Sequence, residues 1–180
     1  MIRKATKDDA SRVAEIHVFG WRAAYGDIVA EGYLFGRLSV TRRAAALVEK
    51  LESGEETYVY EEAGIPGRPG DEPGAVIRGW MTIGDCRDDD VRGGPDGDGA
   101  FELWAVYVDP LMKRRGVGKA LVAFCEAEAR ARGRESVSLW VFRDNVPARA
   151  FYEALGYRPD GTEQLIEGLG AWEVRYRKRL

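Results

Sequence analysis

The sequence predicts an α/β (α+β) sandwich, one mixed sheet with helices on its faces. Three observations carry that prediction. Segments of strand character and segments of helical periodicity follow the order strand, helices, three strands, helix, strand, helix, strand, so the later half contains strand–helix–strand units. Clusters of glycine, proline and aspartate stand between them. The longest unbroken apolar runs, Leu103 to Val108 and Ala120 to Cys125, are six residues each, far short of the ~20 that a bilayer span needs.

Ile2 to Thr6 reads as a short strand. Asp8 or Asp9 caps a helix with Ala10, Val13, Ile16, His17 or Phe19, and Trp21 on its apolar face, weakened near its end by Gly20. Ile28 to Leu38 is ambiguous, with a short helical turn as one reading. Ser39 opens a clearer helix through Leu51, with Ala44, Leu47, Val48 and Leu51 on one face and Gly54 beyond it. Thr57 to Tyr60 is a strand by its β-branched and aromatic content. Gly64 to Gly74 holds four Gly and three Pro and reads as a turn or flexible tip. Ala75 to Gly84 is a strand. Asp85 to Asp98 carries six Asp, two Arg and three Gly and reads as an acidic, mobile loop. Phe101 to Val108 is a strong strand ended by Asp109-Pro110. Gly116 starts a helix to about Arg132, where Gly133 stops it. Val137 to Phe142 alternates as a strand, Asn145-Val146-Pro147 opens a helix that Gly156 closes, and Ala171 to Tyr176 is the last strand.

Composition bounds the function. The 180 residues are expected to form a single domain over 1–180, long enough to bury roughly 70% of its unfolded surface. Hydrophobic residues at 45% and charged residues at 32% exclude a largely disordered chain. With 27 basic and 30 acidic residues the net charge is −3, which gives no general reason to bind nucleic acid; a patch of Arg114, Arg115, Arg130, Arg132 and Arg134 is the weak alternative. The first nine residues hold no apolar stretch of signal-peptide length, so a cytoplasmic protein with no membrane segment is expected. Cys86 and Cys125 follow no metal spacing and are expected as reduced thiols. One histidine, His17, disfavours a zinc site and a Ser-His-Asp triad, and no metal is expected. Chemistry falls to carboxylates, tyrosines, backbone groups and a cofactor.

The most informative segment runs from Leu103 to Leu121. A buried strand enters a proline-ended turn, then a basic loop with Gly116 and Gly118, then an amphipathic helix. The first helical turn has unpaired N–H donors and a positive dipole end. Lys113, Arg114, Arg115 and Lys119 add positive charge. That is a recipe for a phosphate or pyrophosphate site. A plain strand-to-helix turn with a solvated basic cap is the other reading. A Walker A loop is disfavoured because Lys113 and Ala120 stand where Gly and Ser or Thr are needed. A dinucleotide fingerprint is disfavoured because Leu121 stands where its third Gly belongs.

These residues resemble the GNAT acetyltransferases. Lys113 to Gly118 is similar to the family's Gln/Arg-x-x-Gly-x-Gly/Ala loop, with Gly116 and Gly118 matching and Lys113 departing from the usual Gln or Arg. Asp144 to Tyr157 is similar to the second signature, Asn-x-x-Ala-x-x-Phe-Tyr-x-x-x-Gly-Phe/Tyr. The resemblance implies a mixed, mostly antiparallel sheet of six to seven strands, with Phe101–Val108 and Val137–Phe142 splayed to form a slot. It implies acetyl-CoA as co-substrate. Backbone groups around Val106, Tyr107 and Val108 would hold the pantetheine arm. The stretch Lys113, Arg114, Arg115, Gly116, Val117, Gly118 and Lys119 would hold the pyrophosphate, and Asn145 and Ala148 would lie along the pantetheine. Tyr152 would sit near the thioester sulfur. The implied activity is direct acetyl transfer to a primary amine of a small molecule, amino acid or peptide. The alternative is a catalytically silent module that binds CoA.

Such a transfer needs a base, since an alkyl ammonium near pKa ~10.4 has no lone pair to attack with. Glu102 is the candidate, with a plain solvent-facing strand residue as its other reading. The phenol of Tyr152 is the candidate acid. Trp21, Tyr25 and Tyr33 lie where the family builds a wall of the acceptor pocket; they serve equally as core. A homodimer through the exposed last strand is possible in this reading.

Overall fold

A computed structural model describes residues 1–65, 74–91 and 99–180. The elements are β1 (Ile2–Lys4), α1 (Ala10–Ala24), α2 (Val40–Glu52), β2 (Glu56–Ala63), β3 (Ala75–Asp85), β4 (Phe101–Val108), α3 (Val117–Ala131), β5 (Ser136–Phe142), α4 (Val146–Ala154), β6 (Arg158–Ile166) and β7 (Ala171–Arg179). The seven strands form one sheet in the order β1-β2-β3-β4-β5-β7-β6. Every neighbouring pair is antiparallel except β4 with β5.

Helices cover both faces. On one, α3 and α4 pack Val117, Leu121, Cys125 and Tyr152 against Met81, Phe101, Leu103, Val137, Leu139 and Tyr176. On the other, α1 and α2 pack Val13, Ile16 and Leu47 against Val59, Ile77 and Trp80. The period-two alternation of strand side chains feeds both cores at once. Ser39 caps α2 by accepting the Arg42 N–H at 3.2 Å. Asp9 caps no helix forward. Its carboxylate takes the Thr6 N–H at 2.7 Å and both terminal nitrogens of Arg3, and that guanidinium holds the carboxyl below the usual carboxylate range. The ambiguous stretch before α2 contains a π-helical turn, Gly32–Arg37.

Two expectations are corrected. The last strand is not an edge, because β6 pairs with it from Arg158 to Ile166. That strand carries Pro159 and Gly161, residues that read as a turn; an edge position tolerates them because one side of the ladder is unused. The acidic segment is structured where it is described: Cys86 and Val91 are buried with Ala100, and Asp88 and Asp90 bind Arg175. Its continuation, 92–98, and the glycine- and proline-rich 66–73 lie outside the described residues. Among the described residues no helix is long and apolar enough to cross a membrane. Both cysteines are buried free thiols whose ionisation burial opposes.

Arg175, 3% exposed, is held by three carboxylates: Asp160 at 2.7 Å, Asp90 at 2.7 Å and Asp88 at 3.2 Å. Trp140 Nε1 donates to Asp88 at 2.9 Å, which ties the acidic segment to β5 as well. Removing one partner of a buried ion pair strands the others. Arg175→Leu is therefore expected to cost about 3 kcal/mol, the low end of the range for buried pairs because Asp90 reaches solvent. Urea denaturation with an unchanged m-value checks it.

Candidate active site

The parallel pairing of β4 with β5 consists of Phe101↔Val137 and Glu102↔Ser138 and then stops. Beyond it the two strands diverge. The cause lies on the other edge of β4. Thr82 faces Ala105 and Ile83 faces Leu103, which leaves Trp104 as an extra residue, and such a bulge bends its strand. The Trp104 indole lies over Gly84, where an added Cβ would come within 2.5 Å of it. Its Nε1 donates to Asp85 O at 3.2 Å, and Arg87 stacks over the ring at 4.8 Å.

The bulge also resets the alternation. Phe101 and Leu103 face α3, as do Val106 and Val108 after it, while Ala105 and Tyr107 face α1 and α2. Asp109 donates its N–H to Arg78 O at 2.9 Å. Antiparallel alternation puts Tyr107 on that same hydrogen-bonded edge, so the polar groups of Val106 and Val108 turn toward the gap. The Tyr107 side chain is thus on the far face from the α3 loop; its phenol accepts Trp21 Nε1–H at 2.8 Å.

At the end of β4, Asp109 receives the Leu111 N–H at 2.9 Å and an ion pair from Arg12. Arg114 at φ 65 and Gly116 at φ 82 both adopt the left-handed region, and a non-glycine residue there stores strain of a kind that clusters at ligand sites. Gly116 precedes α3 with no side-chain cap. Among the described residues no acceptor takes the N–H groups of Arg114 to Lys119. Lys113, Arg114, Arg115 and Lys119 are exposed and in no ion pair among the described residues, whereas Val117 is buried, so it can offer a ligand only its backbone. Arg132 and Arg134, by contrast, are paired with Glu56 and Asp85. From α4, Asn145 Oδ1 caps the helix through the Ala148 N–H at 3.3 Å, which leaves its NH2 group to donate elsewhere. Tyr152 is buried on the α3 side, and burial with a smaller effect of Tyr107 raises its phenol well above the usual value.

On the opposite face, a cavity of about 260 Å³ is lined by His17, Trp21, Arg43, Trp80, Trp104, Tyr107 and Glu173, among others. Trp21 is in that lining. Tyr25 and Tyr33 are not in the lining: they pack with Val29, Leu34 and Phe142, Tyr25 lying edge-on to Phe142 at 4.8 Å. Glu102 is not solvent-facing; it is 1% exposed. Arg87 covers it, its backbone N–H at 2.9 Å from Oε2 and its guanidinium on both oxygens, so that Arg87 rather than Glu102 lines the cavity. Glu173, on β7 opposite Phe142, was missed from sequence. It accepts from Gln164 at 3.1 Å, and burial raises its carboxyl above the usual range. Arg43 and Trp80 were missed too; helical spacing marks only apolar positions, and nothing local showed which way either pointed.

A splayed parallel pair beside an N–H-lined helix mouth suits an extended ligand with a diphosphate end. The model of the acetyltransferase (GNAT) family matches residues 44–157. An uncharacterized N-acetyltransferase, YuaI of Bacillus subtilis, is 30% identical over 159 residues, covering 88% of this chain and 79% of YuaI. A crystal structure of a GCN5-related N-acetyltransferase from Rhodopseudomonas palustris shares the fold with a TM-score of 0.70 and 23% identity, covering 100% of this chain and 95% of that one. The structure of yncA from Salmonella typhimurium, a putative acetyltransferase with its cofactor acetyl-CoA, has a TM-score of 0.64 and 21% identity over 100% and 93% of the two chains. The chain belongs to the GNAT acetyltransferases, a family that draws its acetyl group from acetyl-CoA.

His17 is 3% exposed. Burial, and then the nearby charges of Arg43 and Lys50, push its pKa down to about 3 from 6.5. The unfolded chain therefore binds a proton that the folded one refuses between about 6.5 and about 3, so this group lowers stability as pH falls through that window. His17→Gln is expected to flatten the pH 7 to pH 5 decline relative to the parent, measured by urea denaturation at both values.

Proposed function

We propose that the protein transfers an acetyl group from acetyl-CoA to the primary amine of a small acceptor. The observation that carries this reading is the abrupt end of β4–β5 pairing after Glu102↔Ser138, beside a helix mouth whose N–H groups are unclaimed among the described residues. The residues fit the coenzyme. Backbone groups of Val106 and Val108 would hold the pantetheine arm, with the Asn145 NH2 group and Ala148 alongside. The N–H groups from Arg114 to Lys119 would hold the diphosphate, and the side chains of Lys113, Arg114, Arg115 and Lys119 would balance its charge. The coenzyme supplies an acetyl thioester, an acyl group on a good leaving atom. Tyr152 holds a proton at Oη throughout the neutral range, because burial disfavours the phenolate, and its O–H is the donor proposed for the departing sulfur on the α3 side.

On the acceptor side a carboxylate must take the ammonium proton. Glu102 was the candidate from sequence, and it would first have to release Arg87. Glu173 lines the cavity itself, and a carboxylate of raised proton affinity is a better match to an amine at neutral pH. We assign the proton to Glu173, with Glu102 anchoring Arg87.

Gly118 tests the coenzyme site. A Cβ there would already lie 3.4 Å from Phe151 and 3.6 Å from Val108, so Gly118→Glu is expected to fill the slot with a charged side chain and abolish acetyl-CoA binding by calorimetry. Unchanged affinity would remove the assignment. Glu173→Gln is expected to lower kcat by about 10²-fold or more, most severely at low pH, with coenzyme affinity intact. Glu102→Gln is expected to lower the unfolding midpoint together with activity, since it releases Arg87. A pH profile unmoved by Glu173→Gln would return the role to Glu102.

A further inference from the structure

The cavity beside β4 holds donors that no other group uses among the described residues. His17 and Trp80 both line it, at 3% and 5% exposure. Arg43 Nη2 stands 3.4 Å from His17 Nδ1. A guanidinium only donates, so Nδ1 accepts and the proton of the neutral ring sits on Nε2. That Nε2–H has no partner among the described residues, and neither has the indole N–H of Trp80. The two rings stack at 5.6 Å, and both residues line the cavity together with Arg43. Lys50 is neutralised by Glu55 at 2.9 Å and Arg87 by Glu102. Arg43 has no carboxylate partner among the described residues. A buried donor without an acceptor is costly, and a cation with two such donors beside it makes a site for an anion.

The same cavity carries the opposite charge at Glu173, which has no ion-pair partner among the described residues and only Gln164 as a hydrogen-bonding neighbour. Trp21, Trp104 and Tyr107 also line it. At about 260 Å³, the space falls just below the roughly 300–1,000 Å³ of ordinary ligand pockets. We infer that the acceptor is a free amino acid or a close relative, its carboxylate on Arg43, His17 Nε2–H and Trp80 Nε1–H and its ammonium group toward Glu173. A peptide N-terminus has no carboxylate beside its amine and leaves those donors unmet. This inference rests on the acetyltransferase reading for the fate of the amine, and on the cavity alone for the carboxylate.

The experiment has two arms on the full chain, with the twenty amino acids and their decarboxylated amines as probes. Without coenzyme, ¹H–¹⁵N spectra follow the His17 ring and Trp80 indole N–H resonances. They are expected to shift with at least one amino acid and not with its amine. With acetyl-CoA, kcat/KM is expected to favour that acid over its amine by about 10- to 100-fold, the span of a charge-assisted hydrogen bond. Arg43→Met is expected to bring the ratio toward one, and Arg43→Lys to keep part of it. A variant that merely unfolds loses both substrates alike and loses acetyl-CoA binding by calorimetry. Resonances unmoved by every amino acid, equal use of acid and amine, or a ratio that survives Arg43→Met in a folded variant overturns the inference. Shifted resonances in a chain that binds no acetyl-CoA would sustain the carboxylate site and overturn the reading beneath it.

Discussion

The site depends on one constraint: β4 keeps its ladder with β3 while losing its ladder with β5. A parallel pair that continued past Glu102↔Ser138 would consume the polar groups of Val106 and Val108 and close the gap. The extra residue at Trp104 prevents this. It bends the strand, and it swaps the faces on which later side chains appear. Leu103 and Val106 can then both enter the α3 core, while Glu102, Ala105 and Tyr107 serve the other side. One irregular residue thus opens the slot and furnishes the wall of the acceptor cavity.

Charge pairing holds this irregularity in place. Arg87 joins the bulge to the sheet, stacked on Trp104 above and bonded to Glu102 below. Arg175 binds the segment that follows β3 through Asp88 and Asp90, and reaches β6 through Asp160. Such pairs contribute little net stability after desolvation, but breaking one is expensive. Their effect here is to fix a loop that composition alone presents as solvated. The aromatic stack of His17, Trp21, Trp80 and Tyr107 lines the cavity with rings, and Gly20 lets α1 approach Tyr107 closely, an added Cβ lying 3.4 Å from its ring.

Much of this was legible along the chain. Phe101 to Val108 is a strand built on the apolar run Leu103 to Val108, Gly116 and Gly133 bracket α3, and Asn145 caps α4, all from residues within a few positions of one another. The edge strand β6 was not, because Pro159 and Gly161 are ordinary turn residues and only pairing with β7 makes them part of a ladder. Tyr25 and Tyr33 lie near Trp21 in the chain, but their packing in the cluster of Phe142, a neighbour more than a hundred residues away, shows only in the fold.

Sequence alone determined the class of the protein, the order of its helices, most of its strands and the glycine loop with its charges. Those depend on local propensity and on spacings of a few residues, which a chain carries wherever it goes. Tertiary structure decided which groups face the acceptor. Glu173, Arg43 and Trp80 come from β7, α2 and β3, and Glu102 is covered by Arg87. None of that is encoded in a neighbour along the chain; each relation arises when a bulge, a ladder register and two helix faces are brought together.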